Sequence, residues 1–299
     1  MIIRRYVEKD LAELVRLLNE TRKNSYEFIP YTEEKFAAEI KKGRAAVLVA
    51  EDGEIAGFAM LYRGVHGNEI RWLCVKPTPE RKKIEDLLVQ EIEKEANSEE
   101  VFAVVDSKNP EMTNWIERGY TVSGGLYHMI AKLKRPQPIP PVPEGVTLRS
   151  LAKDEEKALV EVVNASFERE RIQLGVLQKW KSRDPLFNEE WVHVAELNKQ
   201  IISVVVSRRA LEYNQYYGGK RGYLGPAATL PVHRCKGLAK ALTCRAMNYL
   251  LRKGMESVSL YTSERNLPSV ALLKSLSFKT KCNWKFLRKN LAETQEKCG

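Results

Sequence analysis

The residues best placed to do chemistry are Arg234-Cys235-Lys236-Gly237-Leu238-Ala239. They lie between an apolar run ending at Leu230-Pro231 and an amphipathic stretch from Lys240 to Lys253 that reads as helix. Gly237 and the small Ala239 let the backbone approach a ligand, and a helix start leaves several N–H groups without intrahelical partners. Those amides, with the positive end of the helix dipole, favour phosphate oxygens. Arg234, Lys236 and Lys240 add positive charge around the same turn, and His233 beside it suits a surface or phosphate contact. The chemistry indicated is recognition of a phosphorylated ligand. An ordinary strand-to-helix turn with one glycine is the competing reading, and Cys235 then reads as a small filler.

The surrounding elements decide between these readings. After the helix comes a strand-like Ser257-Val258-Ser259-Leu260-Tyr261, and Asn266-Leu267-Pro268-Ser269 then opens a helix that ends near Ser277-Phe278. Strand, Arg-x-x-Gly-x-Ala turn, helix, strand and Asn-x-x-Ser helix in this order resemble the acetyl-CoA-binding half of the GNAT acyltransferase superfamily. The resemblance implies acetyl-CoA as co-substrate, held between two parallel strands that splay apart. It implies backbone contacts from Ala227, Ala228 and Thr229 to the pantetheine arm. The pyrophosphate would be cradled by the N–H groups of Cys235, Lys236, Gly237, Leu238, Ala239 and Lys240, with Arg234 beside them. Asn266 would hydrogen-bond near the thioester, although it and Pro268 also suit a plain helix start.

Acyl transfer to an amine needs a neutral amine, an oriented carbonyl and a proton for the departing thiolate. Many members of the superfamily carry a Tyr acid seven residues after the Asn, where this chain has Leu273, and the frequent Gly before Phe is Ser277. Tyr261 and Tyr223 are the substitute acids, since a phenol can protonate a thiolate without a large pKa shift. Glu264 is the nearest carboxylate for a base, directly or through water. Each of the three also has a purely structural reading. The resemblance places the acceptor near Ser166-Phe167-Glu168-Arg169-Glu170-Arg171, Trp180 and the segment Arg208 to Tyr217. In that segment Glu212, Tyr213, Tyr216 and Tyr217 would suit a cationic or aromatic acceptor, while an exposed loop is the default expectation. The expected reaction is N-acetylation of an amine, on a small molecule or a protein, by direct attack in a ternary complex. The alternatives are a protein lysine or N-terminal acetyltransferase and, given Leu273, a CoA-binding module without turnover.

The chain of 299 residues has room for two cores. Five prolines and one glycine between Lys134 and Gly145 mark a stiff linker. On either side one plan repeats: a short strand and an Asp (Asp10, Asp154) suited to cap a helix, a hairpin, a further strand and helix, then a strand and a shorter helix. The expectation is two tandem GNAT-like α/β (α+β) domains, each a mixed, mostly antiparallel twisted sheet flanked by helices. Residues 1–135 form the first, 136–145 the linker and 146–299 the second. Aligning Pro77 with Pro231 puts Glu80, Lys83 and Glu85 opposite Arg234, Gly237 and Ala239, and sliding by one puts Arg81, Ile84 and Asp86 there; in either register the first domain is not expected to bind CoA. Its expected roles are scaffold, dimer contact or wall of the substrate cleft.

Charge follows the same division. Residues 1–135 hold 22 Lys and Arg against 23 Asp and Glu, and residues 136–299 hold 27 against 16, so the second half carries the whole net charge of +10. This suits an anionic ligand. No nucleic-acid signature appears, so nucleic acid is not an expected partner. No apolar run is long enough to span a bilayer and no signal-like core precedes the first strand, so a cytoplasmic protein without membrane contact, monomer or homodimer, is expected. Cysteines 74, 235, 244, 282 and 298 form no close pair, so neither disulfides nor a metal site is expected.

Overall fold

The computed structural model describes residues 1–41, 45–64 and 67–292. They form two compact units that are not consecutive in the chain. One takes Met1–Tyr127, Ser263–Arg265 and the segment beginning at Cys282, and the other takes His128–Thr262 and Asn266–Lys281.

The first repeat runs β1 (Ile2–Arg5), α1 (Leu11–Arg22), α2 (Glu33–Glu39), β2 (Ala45–Asp52), β3 (Glu54–Gly64), β4 (Gly67–Val75), α3 (Arg81–Glu93), β5 (Glu100–Asp106), α4 (Glu111–Glu117) and β6 (Thr121–Lys132). The second runs β7 (Val146–Ser150), α5 (Glu156–Phe167), α6 (Val176–Arg183), β8 (Val192–Leu197), β9 (Gln200–Arg209), α7 (Leu211–Tyr217), β10 (Arg221–Thr229), α8 (Leu238–Arg252), β11 (Ser257–Ser263), α9 (Leu267–Ser275) and β12 (Lys279–Asn290). Both expected hairpins form, as the antiparallel pairs β2–β3 and β8–β9.

In the first unit the strand order is β1-β2-β3-β4-β5-β12-β6. The C-terminal strand belongs there because Trp284 to Asn290 pair antiparallel with Asp106 to Glu100. Apolar residues at helical spacing bury one face of each helix. Leu14, Leu17 and Leu18 of α1 meet Phe36, Val49, Phe58 and Met60 in one cluster, while Ile84, Leu88 and Ile92 of α3 meet Ala59, Leu61, Val101 and Ala103 in another. Alternate residues of β2 and β3 enter the two clusters, as the strand period of two requires.

In the second unit the order is β6-β11-β10-β9-β8-β7, with α5 and α8 both packed on β9 and β10. The linker is tied to α8, since Gln137 N donates to Asn248 Oδ1 at 2.6 Å and Asn248 Nδ2 donates to the Gln137 carbonyl at 2.8 Å.

Two local expectations differ from the structure. Neither Asp10 nor Asp154 caps α1 or α5 with its side chain. Asp10 accepts from Arg4 (2.7 Å) and Val7 N (2.9 Å), and its counterpart is Glu155, which accepts from Arg149 (2.7 Å) and Ala152 N (2.8 Å). A charge-assisted bond to a guanidinium outcompetes a cap, and it shifts the correspondence by one residue. The segment Arg208 to Tyr217 is not a loop either: it forms the end of β9 and then α7. Arg221 lies 3.5 Å over the Tyr213 ring, and Asn214 bonds the Arg221 backbone, which holds that helix in place.

A buried histidine couples the second unit to pH. His193 of β8 shares a 3.0 Å bond between Nε2 and Ser207 Oγ, while that hydroxyl donates to the Trp191 carbonyl at 2.9 Å. Ser207 has one proton to give, so the imidazole donates from Nε2. Burial, with Arg245 and Arg252 adding to it, pulls the imidazole down to about 3. The unfolded chain therefore takes up this proton first, and stability is full above about pH 6.5 and falls as pH drops toward 3. Between pH 7 and 4.5 this group should remove about 2–3 kcal/mol. His193→Asn should flatten that part of the acid limb in thermal denaturation, and an unchanged limb would remove His193 as its cause.

Candidate active site

The turn before α8 is built to present amides. Cys235 and Gly237 both take left-handed backbone, φ 61° and 79°, which turns successive N–H groups toward a common side. Hydrogen bonding inside the helix begins with Ala241 N to the Gly237 carbonyl at 3.0 Å. Among the described residues, none of the N–H groups from Cys235 to Lys240 donates to a protein acceptor. Six backbone donors at the positive end of a 15-residue helix, flanked by exposed Lys236 and half-buried Lys240, make an oxyanion-binding nest. The residues thus fit a pyrophosphate. Arg234 donates to the Ser166 carbonyl at 2.8 Å and the Thr229 carbonyl at 3.3 Å, bracing the turn against the end of α5.

Strands β10 and β11 are parallel but stay paired for only three residues, from Arg221↔Ser257 to Tyr223↔Ser259. Beyond Tyr223 the two separate, and β10 shifts register against β9 between Leu224 and Ala227. The separated part of β10 carries Ala227, Ala228 and Thr229. Ala227 is exposed, whereas the Ala228 carbonyl and the Thr229 hydroxyl are turned back to Ser203 at 3.0 and 2.7 Å. Tyr223 therefore sits where the strands part.

Tyr261 is 45% exposed, 6.3 Å from Tyr223 between ring centroids, and stacked on His128 at 4.5 Å. Burial pushes the Tyr223 phenol above its ordinary value, against the pull of Arg208 and Arg171. It stays protonated at neutral pH. His128 belongs to the last strand of the first repeat, so no local motif could have announced it. Asn266 caps α9, accepting from Ser269 N at 3.3 Å, and its side chain is exposed. Leu273 is 4% exposed in the core. Glu264 belongs to the first unit, where its carboxylate accepts from Lys285 Nζ at 2.6 Å.

The first repeat carries the same splay, with β4 and β5 pairing only at Asn68↔Val101 and Glu69↔Phe102, but its turn differs. Helix α3 starts at Arg81, and its bonding begins with Ile84 N to the Glu80 carbonyl at 3.0 Å, so amides left open in the second repeat are tied up here. Glu85, opposite Ala239, is buried and paired with Arg81 and Arg118. The carbonyl of Leu73, opposite Ala227, accepts from Arg22 at 2.7 Å, and Arg22 is held by Glu111 at 3.1 Å. An ion-paired side chain thus holds the carbonyl opposite Ala227.

The description of the Acetyltransferase (GNAT) family fits the chain twice, over residues 11–120 and 149–278. The chain belongs to the GNAT acetyltransferase family. It is an acyltransferase with tandem GNAT repeats, and the family uses acetyl-CoA as co-substrate. It is similar to the mycothiol acetyltransferase of Saccharomonospora viridis, at 26% identity over 251 residues that cover 76% of this chain and 77% of that one. It also matches the mycothiol acetyltransferase of Thermobispora bispora at 28% over 170 residues, 54% of this chain and 55% of that relative's length. Among solved structures, a GCN5-related N-acetyltransferase from Sphaerobacter thermophilus shares the fold, with TM-score 0.66, 19% identity, and 97% and 95% of the two chains covered. A tandem GNAT protein from the clavulanic acid biosynthesis pathway does so with TM-score 0.65 and 14% identity over 97% and 98%. Among the described residues, no helix is long and apolar enough to cross a membrane, and no three His, Cys, Asp or Glu side chains could hold a metal ion. Cys74, Cys235, Cys244 and Cys282 are free thiols, and Cys298 lies outside the described residues.

Proposed function

We propose that the second repeat of this GNAT protein binds acetyl-CoA and transfers its acetyl group to an amine by direct attack in a ternary complex. The observation that carries this reading is the row of six unpartnered N–H groups from Cys235 to Lys240, next to the parting strands β10 and β11. The amides would take the pyrophosphate, and the exposed backbone at Ala227 would take the pantetheine arm. The thioester would then lie near Tyr223 and Tyr261.

The amine reaches the site neutral, having lost its ammonium proton to solvent. Its nitrogen attacks the thioester carbonyl carbon, the C–S bond breaks, and the thiolate takes a proton from a phenol. Tyr261 is the first choice as donor because it is exposed, and Tyr223 is the second. The phenolate recovers the proton released by the new amide nitrogen through water. Glu264 is left out of the proposal because Lys285 already holds its carboxylate. The first repeat acts as scaffold, since Arg22 and the early start of α3 occupy the positions a CoA would need.

The mycothiol acetyltransferase relatives point to a small amine acceptor rather than a protein, although their identities of 26% and 28% do not carry one acceptor over. Calorimetric titration of acetyl-CoA into the full chain tests the core of this reading. One site is expected. Two sites would overturn the division between repeats, and none would overturn the enzyme reading.

A further inference from the structure

Arg208, near the end of β9, is a half-buried cation that no carboxylate neutralises among the described residues. It is in register with Tyr223 of β10, at the point where β10 and β11 part. Its guanidinium lies between two rings, 5.4 Å from the Trp180 centroid and 5.3 Å from that of Tyr223. One Nη donates to the Gly225 carbonyl at 3.1 Å, while Nε is buried with no acceptor. Among the described residues no carboxylate pairs with it. The neighbouring Arg209 shows the contrast, for its Nε donates to Asp184 at 2.8 Å.

Two further arginines act on this corner. Arg183 works against the Arg208 guanidinium, and Arg171 acts with Arg208 on the Tyr223 phenol. Removing an arginine from water without a counter-ion is unfavourable. That cost is offset when a ligand supplies the missing oxyanion, and the planar fork of a guanidinium suits a carboxylate or phosphate better than a point charge would.

Building on the acetyl-transfer reading of the second repeat, we propose that Arg208 recognises an oxyanion on the acceptor. The substrate is then an amine that also carries a carboxylate or phosphate group. Arg208 sits beside Tyr223, so the anionic end is anchored next to the reacting centre and the amine is presented to the thioester. Cationic polyamines are disfavoured by the same field.

The test is an acceptor screen of the full chain with acetyl-CoA, read by CoA thiol release. The library is built as matched sets: primary amines carrying a carboxylate, a phosphate or an uncharged amide at the same spacing, plus polyamines. The expected result is that anionic amines exceed their amide partners by about 100-fold in kcat/KM. The better of the carboxylate and phosphate arms identifies the oxyanion. Arg208→Gln should shrink the preference to a few-fold by raising KM for the anionic amine, with acetyl-CoA affinity unchanged, and Arg208→Lys should restore part of it. Turnover confined to amides or polyamines would overturn the inference, as would an inert library with acetyl-CoA still bound. Equal loss on all amines in Arg208→Gln would also overturn it and leave Arg208 as a prop for the Gly225 carbonyl. Failure of the wild-type chain to bind acetyl-CoA would instead sink the acetyl-transfer reading beneath it.

Discussion

Gly237→Glu should abolish acetyl-CoA binding and turnover together, a loss of at least about 100-fold in affinity. Two effects add. Gly237 holds φ 79°, and a residue with a Cβ in that region is strained by about 1–2 kcal/mol. The new carboxylate also stands among the amides that would take the pyrophosphate, replacing attraction by like-charge repulsion. Space is not the reason, because a Cβ at Gly237 would meet nothing closer than the Pro141 carbonyl at 4.0 Å. Gly237→Ala separates the terms, since it keeps the strain without the charge and should cost about tenfold. The matching change in the first repeat, Lys83→Glu, should leave binding intact. Titration calorimetry on the three variants is the check, and equal loss from Lys83→Glu and Gly237→Glu would refute the division of labour between repeats.

Replacing Tyr261 by Phe should lower kcat by about 100-fold with little change in acetyl-CoA affinity, the size expected for a lost general acid. The ring stays, so its stacking on His128 at 4.5 Å survives, and only the hydroxyl is tested. Tyr223→Phe should have the smaller effect if Tyr261 is the donor. The reverse order would transfer the role to Tyr223, which burial keeps protonated across the neutral range. An unchanged rate in both variants would leave the thiolate to be protonated by water. Single-turnover rates measured alongside acetyl-CoA titrations distinguish these outcomes.

Much of this protein is written in short stretches of its sequence. Apolar spacing in Leu11 to Leu18 and in Leu238 to Leu250 places helices, the turns at Asp52-Gly53 and Asn198-Lys199 place hairpins, and the prolines from 136 to 143 place the linker. These features depend on neighbours a few residues away, and the double copy makes each legible twice. The turn at 234–240 is readable for the same reason, because a glycine and a helix start define its donors locally.

What only the tertiary structure decides is which partner a polar side chain finds. Arg234 reads as a phosphate ligand, and only the fold shows that it also reaches the carbonyls of Ser166 and Thr229. Asp10 reads as a cap of α1, but its carboxylate pairs with Arg4 instead. His128 comes to Tyr261, Arg22 comes to the Leu73 carbonyl, and among the described residues no acid comes to Arg208. The last strand, β12, pairs with β5 of the other repeat. Each of these depends on distance in space between residues far apart in the chain. Local periodicity carries no record of such distances, and a competition between charged partners is settled only when all of them are in place.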